Sequence, residues 1–320
     1  MSNPAPLAVS MGDPAGVGLE IAVKAYAARD SATPDFFIVG DRAAVARAAS
    51  RAGVSAQGLQ VEHTPLAMVE TPGAPDPVNN HAVLSAIERG VSACANGRAC
   101  ALVTLPIAKA VLYESNFPFP GHTEYLADLT KDMPMEGERG PVMMLAAQDL
   151  RVSLVTIHTA LARAPALLSV EKIVSVGRVT AQALRQRFGI ANPRIALAGL
   201  NPHAGEGGAL GREEIDIINP AAARLRAEGI DATDALSADT LFHAEARARY
   251  DAALAMYHDQ GLIPVKTLDF WGGVNVTLGL PIIRTSPDHG TGFDIAGKGI
   301  ARTESFVAAL KMAHEMAARG

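Results

Sequence analysis

Short apolar runs alternate with amphipathic stretches along nearly the whole chain, and this alternation limits the possible folds more than any other feature. The runs have the length of buried strands and span residues 7–10, 36–40, 101–104, 142–146, 152–157, 195–200, 252–256 and 274–278. The stretches between them have helical periodicity and span residues 43–52, 80–96, 167–187, 212–228 and 303–318. Because parallel strands are usually joined by a crossover helix, this order predicts an α/β fold with a largely parallel sheet covered by helices on both faces.

The length and composition favour a globular protein that acts on a small molecule. With 320 residues, the chain exceeds what one hydrophobic core usually supports, which predicts two lobes or one lobe with a large insertion. Apolar residues make up 49% of the chain, enough for a sizeable core and too many for a disordered protein. The net charge of -5, without a Lys/Arg-rich run, argues against nucleic-acid binding and against a polybasic membrane surface.

The remaining composition signals indicate a cytoplasmic location. The two cysteines, Cys94 and Cys100, lack a CxxC spacing and are expected to be reduced structural thiols. Residues 1–6 have neither the basic segment nor the long apolar segment of a secretory signal. No apolar run approaches the roughly 20 residues that span a bilayer.

Three histidines follow strand-like runs in small, polar, turn-rich surroundings, namely His158, His203 and His258. Open α/β proteins place their ligand-binding groups just beyond strand ends. Imidazole is a common metal ligand, so these residues are interpreted as a metal site assembled from distant parts of the chain. A structural role for each histidine is the alternative.

Four other segments are candidates for ligand binding. Residues 11–20 follow a strand and contain several glycines, but they match neither the GxGxxG fingerprint nor the phosphate loop, so a structural turn is the commoner explanation. His122 and Thr123 open a helical stretch and could bind an anion there, although Thr123 could simply cap the helix.

The other two segments lie towards the C-terminus. Lys266 ends an apolar segment, Asn275 lies within a strand and Arg284 closes an apolar run. Such cations in apolar surroundings suit a carboxylate or phosphate ligand better than a solvated surface. Residues 288–299 are rich in glycine, which is typical of a backbone that approaches a ligand or of a mobile surface loop.

Taken together, the motifs resemble the PdxA family, the 4-hydroxythreonine-4-phosphate dehydrogenases of the pyridoxal phosphate pathway, over essentially the whole chain. The resemblance rests on residues 12–18, 118–124, 200–208, 255–261 and 273–281. Several long, uncommon strings in the right order are far more specific than one short motif.

The resemblance implies a two-lobed fold like that of isocitrate and isopropylmalate dehydrogenases, with a cleft between α/β domains, and a homodimer with the active site at the subunit interface. On this basis we assign residues 1–125 plus 280–320 to a cofactor-side lobe, and residues 126–279 to a central lobe with the dimer interface and the metal ligands. It also implies an NAD or NADP cofactor bound by a glycine-rich loop with His289, Gly290, Asp294 and Gly297.

The resemblance further implies one divalent metal per subunit, zinc, cobalt or magnesium, held by His158, His203 and His258, with His258 reaching the site from the partner subunit. The substrate-binding positions of the family match His122, Thr123, Lys266, Asn275 and Arg284. The general base is assigned to Asp259, beside a metal ligand, or to Lys109.

The implied reaction oxidises 4-phosphooxy-L-threonine at C3 and then removes its carboxylate as CO2. The sequence departs from the family at Ala108, where similar sequences carry His or Asn before the residue that corresponds to Lys109. This change removes a polar group from the expected cleft and so bears on the identity of the substrate. The alternative is therefore a sister enzyme acting on 4-phospho-D-threonate or 4-phospho-D-erythronate. A relative acting on unphosphorylated aromatic cis-dihydrodiols fits less well, since the phosphate-binding cations are kept. A binding protein that has lost catalysis is the non-enzymatic alternative.

Overall fold

The structure, a computed structural model, describes residues 4–319. Residues 1–3, part of the stretch compared with a secretory signal, lie outside the described residues, as does residue 320. Within residues 4–319, no helix has the length and apolar character needed to cross a membrane.

Strands and helices alternate along most of the described chain. The strands are β1 Leu7–Ser10, β2 Phe36–Gly40, β3 Val61–His63, β4 Leu102–Thr104, β5 Val142–Ala147, β6 Leu150–Leu154, β7 Arg194–Ala198, β8 Asp231–Leu236, β9 Ala252–Ala255, β10 Val274–Leu278 and β11 Arg284–Pro287. The helices are α1 Gly18–Ala27, α2 Arg42–Ala52, α3 Asn80–Ala95, α4 Lys109–Tyr113, α5 His122–Leu129, α6 Val170–Phe188, α7 Asn219–Ala227, α8 Ala238–Leu241, α9 Ala244–Arg247, α10 His258–Leu268 and α11 Glu304–Arg319.

The first compact unit consists of two segments of the chain, the residues up to Pro134 and Leu280–Ala318. Its strands run in the order β3-β2-β1-β4-β11, and every neighbouring pair is parallel. The order changes direction between β1 and β4, and ligands in such sheets bind beyond the carboxyl ends of the strands at this point. Gly12 lies in the loop after β1 with φ 66°, and a Cβ there would lie 2.5 Å from the Pro106 carbonyl oxygen after β4. Only glycine therefore allows these two loops to meet.

The second compact unit spans Met135–Gly279. Its strands run in the order β10-β5-β6-β9-β7-β8. The pairs β10–β5 and β5–β6 are antiparallel, while β6–β9, β9–β7 and β7–β8 are parallel. The carboxyl ends of β6, β9 and β7 therefore lie side by side at one edge of this sheet.

Each unit has its own apolar core. In the first unit, α3 and α5 contribute Ile87, Tyr125 and Leu126 to a buried cluster with Leu102 of β4. The boundary expected at residues 125 and 126 falls inside α5, whose buried side chains belong to this core. In the second unit, Leu145, Val152, Ala196 and Ala253 from neighbouring strands form the corresponding cluster, with Val265 of α10 packed against them.

The helix ends follow local side-chain chemistry. The Ser169 hydroxyl accepts a hydrogen bond from the Lys172 N–H at 3.2 Å, so α6 begins at Val170 and not at the expected residue 167. The expected helix over residues 212–228 is divided, since a π-helical turn at Glu214–Ile218 precedes α7.

The α/β class expected from the sequence is confirmed. Residues 7–10, 36–40 and 274–278 are strands with the expected bounds. Lys266, which ends an apolar segment of the sequence, lies inside helix α10, and Arg284, which follows an apolar run, is the first residue of β11. The buried β11 has the sequence Arg-Thr-Ser-Pro and so carries no apolar run by which it could be recognised.

Candidate functional site

The three histidines follow three neighbouring strands of the second unit. His158 comes four residues after β6, His203 lies in the turn Pro202–Gly208 after β7, and His258 opens α10 after β9. Because β6, β9 and β7 are adjacent and parallel, the loops that carry these residues leave the sheet at the same edge. The strand order β6-β9-β7 thus brings loops from three distant parts of the sequence to one edge of the sheet.

His158 and His258 lie against each other. Their ring centres are 5.7 Å apart, with 42° between the ring planes. Two imidazoles bound to one tetrahedral ion, with metal–nitrogen distances of about 2.1 Å, have ring centres roughly 5 Å apart. Nδ1 of His258 is 2.7 Å from the Asp259 carboxylate, a contact that fixes the ring and leaves Nε2 free for a ligand.

His203 stands outside this pair. Within residues 4–319, no three His, Cys, Asp or Glu side chains are grouped closely enough to hold a metal ion. His203 is exposed and has φ 52° in a turn where residues 203–207 all have left-handed backbone angles. The Asn201 N–H, which precedes this turn, donates to the Glu214 carboxylate at 2.7 Å. His158 also has a positive φ, 30°, and such strained residues cluster at functional sites.

A second group of functional candidates lies in the first unit. His122 is the first residue of α5, Lys109 is the first residue of α4, and Arg284 is the first residue of β11. Burial, with the positive charges of Arg284 and Lys109, holds the pKa of His122 well below its usual range. Three basic side chains thus share one small region, which we call the cationic cluster.

Arg284 lies at the buried centre of the cationic cluster. It is 2% exposed, and its Nε donates to the Thr104 hydroxyl at 3.1 Å. Burial lowers the pKa of Arg284 to about 9, because the charged guanidinium has lost much of its hydration. A bound anion would restore the stability of the charged form.

The amino-terminal end of α5 adds donors to the cationic cluster. Nε2 of His122 is buried and has no hydrogen-bond partner among residues 4–319, which is costly unless a ligand binds it. Thr123 is 8% exposed and occupies the first turn. A Cβ on the neighbouring Gly121 would lie 3.2 Å from Nζ of Lys109, so glycine leaves room for that ammonium group. The geometry suits a phosphate or carboxylate.

Two other residues expected to bind the substrate belong to the second unit. Asn275 lies in β10, and its Oδ1 is buried without a hydrogen-bond partner in the part of the chain that is described. Lys266 lies in α10 with Nζ 5.5 Å from the ring centre of Phe270. An orphaned amide oxygen inside a strand is typical of a ligand contact.

The two candidates for the general base lie in different surroundings. Asp259 is exposed and contacts His258 through its carboxylate. Lys109 belongs to the cationic cluster, next to Gly121. Asp259 therefore orients the ring of His258, whereas Lys109 adds positive charge to the region where an anion would bind.

The glycine-rich loop, residues 288–299, is attached to α1. The Val17 N–H donates to the Thr291 carbonyl at 2.8 Å. The Glu20 carboxylate accepts from the Ala301 N–H at 2.9 Å, and the Lys24 ammonium group donates to the Gly299 carbonyl at 3.0 Å. Of the residues expected to bind the cofactor, Asp294 and Gly297 lie between these attachments, and His289 and Gly290 precede them; His289, Gly290 and Asp294 are exposed and Gly297 is partly exposed.

We expect sulfate to bind the cationic cluster more tightly as the pH falls. A bound dianion stabilises protonated His122 and so raises a pKa that is low in the free protein. Binding then takes up a proton, so affinity increases as the pH falls through the raised pKa. Sulfate does not titrate in this range, and calorimetry at about pH 5.5 and pH 8 should show several-fold tighter binding at the lower pH. An equally steep pH dependence in His122→Asn would contradict this assignment.

Known proteins match the chain over nearly its whole length. The family model described as pyridoxal phosphate biosynthetic protein PdxA matches residues 22–313. A 4-hydroxythreonine-4-phosphate dehydrogenase from Caulobacter vibrioides is 59% identical, covering 98% of this chain and 98% of that relative. The crystal structure of a 4-hydroxythreonine-4-phosphate dehydrogenase from Klebsiella pneumoniae has a TM-score of 0.88 at 36% identity and covers 99% of both chains.

A structure with a different activity in its name is also similar. The terephthalate 1,2-cis-dihydrodiol dehydrogenase of Burkholderia xenovorans LB400 has a TM-score of 0.66 at 30% identity and covers 98% of both chains. The Caulobacter vibrioides relative covers 98% of the chain that contains these motifs, and the resemblance is confirmed. The chain belongs to the PdxA family of pyridoxal phosphate biosynthetic proteins.

Proposed function

We propose that this chain oxidises the C3 hydroxyl of 4-phosphooxy-L-threonine with NAD and then releases CO2, giving 3-amino-2-oxopropyl phosphate for pyridoxal phosphate biosynthesis. The cationic cluster of His122, Lys109 and Arg284 supports this substrate most strongly, because a buried guanidinium and an orphaned imidazole nitrogen suit a phosphate. The names of the relatives from Caulobacter vibrioides and Klebsiella pneumoniae support the same substrate.

The chain's own residues have distinct tasks in this reaction. The cationic cluster and Thr123 hold the phosphate, with Lys266 and Asn275 as further substrate-binding residues. A base would take the proton of the C3 hydroxyl, bound NAD would supply the acceptor for the hydride that leaves C3, and the resulting β-keto acid would lose its carboxylate as CO2. Asp259 and Lys109 remain the candidates for the base. The contact of Asp259 with His258 favours an orienting role for this carboxylate.

We propose that His158, His203 and His258 hold one divalent metal, zinc, cobalt or magnesium. In each chain these residues follow neighbouring strands at one edge of the sheet, and in the proposed site one subunit would supply His158 and His203 and its partner would supply His258. A divalent ion supplies Lewis-acid stabilisation for negative charge on the substrate oxygen during oxidation and decarboxylation. Asp259 then keeps the His258 ring in the orientation that exposes Nε2.

We propose that the glycine-rich loop binds NAD, with NADP as the alternative cofactor. An added Cβ at Gly290 would have open space around it, and His289 and Asp294 are exposed, so a ligand can reach this backbone. The contacts of Thr291 and Ala301 with α1 and the residue before it hold the second part of the loop in place. We further propose a homodimer in the cytoplasm with the active site at the subunit interface, to which the partner contributes His258.

A sister activity on 4-phospho-D-threonate or 4-phospho-D-erythronate is the second candidate. Ala108 directly precedes Lys109 and is partly exposed, so the entrance to α4 offers a methyl group instead of a polar partner for a 2-amino group. The name of the Burkholderia xenovorans relative indicates oxidation of a dihydrodiol. Such a substrate carries no phosphate, so the cationic cluster would have no anion to bind.

NADH formation with a panel of four-carbon acids separates these candidates. We expect the purified protein to reduce NAD with 4-phosphooxy-L-threonine, and to lose at least about 10²-fold in kcat/KM with the unphosphorylated analogue, because charge-assisted contacts to the phosphate are lost. Use of 4-phospho-D-threonate or 4-phospho-D-erythronate alone would replace the first proposal with the second.

A further inference from the structure

Two neighbouring strands of the first unit end in buried hydroxyl side chains. Ser10 is the last residue of β1 and Thr104 is the last residue of β4, and both are 0% exposed. The strands are parallel, and these two residues are paired in register. The strand order changes direction between β1 and β4, which is where ligands bind beyond the carboxyl ends of the strands. Both hydroxyls therefore lie at the edge of the sheet where a ligand is expected.

The hydroxyl of Thr104 is occupied by Arg284. Nε and Nη2 of this arginine both donate to it, at 3.1 and 2.5 Å. A hydroxyl oxygen has two lone pairs, so these two bonds use its whole capacity to accept. Thr104 therefore has no lone pair left for a hydrogen bond from Ser10.

The hydroxyl of Ser10, by contrast, is unused. Its Oγ is buried and has no hydrogen-bond partner in the described part of the chain, residues 4–319. The backbone around it is paired, since the Ser10 carbonyl accepts from the Leu105 N–H at 3.2 Å. A buried hydroxyl without a partner is unfavourable, and native structures rarely keep one unless a ligand or water completes it.

Ser10 points to the same face of the sheet as Arg284. Ser10 is in register with Thr104, and Arg284 is in register with Leu102, two residues earlier in β4. Side chains alternate between the two faces along a strand, and paired residues of neighbouring strands point to the same face. Ser10, Thr104 and Arg284 therefore share one face.

Helix α5, which begins at His122, covers this face. Ala8 and Leu102, two residues before the ends of β1 and β4, point to it as well, and both belong to the apolar cluster that contains Leu126 of α5. The unused hydroxyl of Ser10 is thus on the side of the sheet where the cationic cluster lies.

We propose that the Ser10 hydroxyl donates a hydrogen bond to the phosphate held by the cationic cluster. This inference rests on the proposed phosphate site, to which it adds an uncharged donor. The phosphate has three terminal oxygens, so it can accept this bond beside those of the guanidinium and the imidazole. A bond from a hydroxyl to a charged acceptor is short and strong, and losing it weakens binding about 10- to 100-fold.

Sulfate binding to the purified full-length protein tests the inference, with sulfate in place of the phosphate group. We expect Ser10→Ala to weaken sulfate affinity by about 10- to 100-fold in titration calorimetry. The kcat/KM for 4-phosphooxy-L-threonine should fall by a similar factor, whereas that for the unphosphorylated analogue should stay unchanged.

Thr64→Val is the matched control. The Thr64 hydroxyl is also buried without a partner among the described residues, but Thr64 follows β3, at the opposite end of this unit's sheet from β11. This variant should bind sulfate like the wild type. Without ligand, neither variant should unfold at a lower temperature than the wild type, because each loses only an unpaired buried hydroxyl.

Three results would overturn the role of Ser10 and leave the phosphate site intact. They are wild-type sulfate affinity in Ser10→Ala, an equal loss of affinity in Thr64→Val, and weaker binding by Ser10→Ala together with a lower unfolding temperature, which would make the hydroxyl structural. A wild-type protein that binds no sulfate would overturn the phosphate site itself, and the inference with it.

Discussion

Replacing His258 with alanine is expected to remove the bound divalent metal and to lower kcat/KM by at least about 10³-fold, because one of the proposed ligands and its Lewis-acid chemistry are lost together. His258 contacts both His158 and Asp259, so the substitution also breaks up the histidine pair. Elemental analysis of the purified variant, beside an NADH assay, measures both effects. The exposed His81→Ala variant is the control and should keep metal and activity. Full metal content in His258→Ala would exclude this residue as a ligand.

Mixing two inactive variants extends this prediction to the proposed dimer. If one subunit supplies His203 and its partner supplies His258, a mixed dimer of His203→Ala and His258→Ala retains one intact site. We therefore expect activity to reappear when the two inactive proteins are mixed and allowed to exchange subunits. Failure to recover activity in confirmed mixed dimers would contradict a site shared between subunits.

Replacing Arg284 with methionine is expected to lower kcat/KM for the phosphorylated substrate by about 10²-fold, equivalent to roughly 3 kcal/mol. The reason is that a buried guanidinium, bonded to Thr104, would no longer meet the phosphate. Steady-state kinetics over a range of substrate concentrations measures this loss, most of which should appear in KM.

Two further variants test the Arg284 prediction. Arg284→Lys keeps a charge but loses the planar donor set, so its kcat/KM should be intermediate. Arg98→Met, at an exposed arginine paired with Glu62, should be unaffected. An Arg284→Met enzyme with unchanged KM for the phosphorylated acid would contradict the assignment of the cationic cluster to the phosphate.

Much of the fold could be predicted because its buried strands are apolar in the sequence. β1 and β2 are continuous runs of buried residues, or nearly so, and their bounds follow from this pattern. β3 and β8 lie at the ends of their units' sheets and carry mixed polar sequences, so they give no such signal. β11 was missed for a different reason, since its buried side chains are held by hydrogen bonds such as that of Arg284 to Thr104.

The individual site residues could be predicted from local sequence, but their grouping could not. His122 and Arg284 are far apart in the chain, and only the packing of α5 and β11 in the first unit puts them in one electrostatic environment. The three histidines follow strands at one edge of the sheet because the strand order is β6-β9-β7, and this order could not be predicted from the sequence.

The contacts of Gln260, Thr156, Glu20 and Lys24 were not predicted from the sequence. Their partners are backbone groups in distant segments, such as the Gly199 carbonyl and the Ala301 N–H, which have no side-chain signature. The hydrogen bonds of Gln260 to the Gly199 carbonyl and to the Met256 N–H could be recognised only once the neighbouring strands were known.

The most direct test is to incubate the purified wild-type protein with 4-phosphooxy-L-threonine, NAD and a divalent metal, and to measure NADH and CO2 together. We expect both to form in equal amounts, and neither to form when the metal is chelated or NAD is omitted. NADH without CO2 would limit the reaction to oxidation. Formation of neither product, from protein shown to be folded and metal-loaded, would contradict the proposed dehydrogenase.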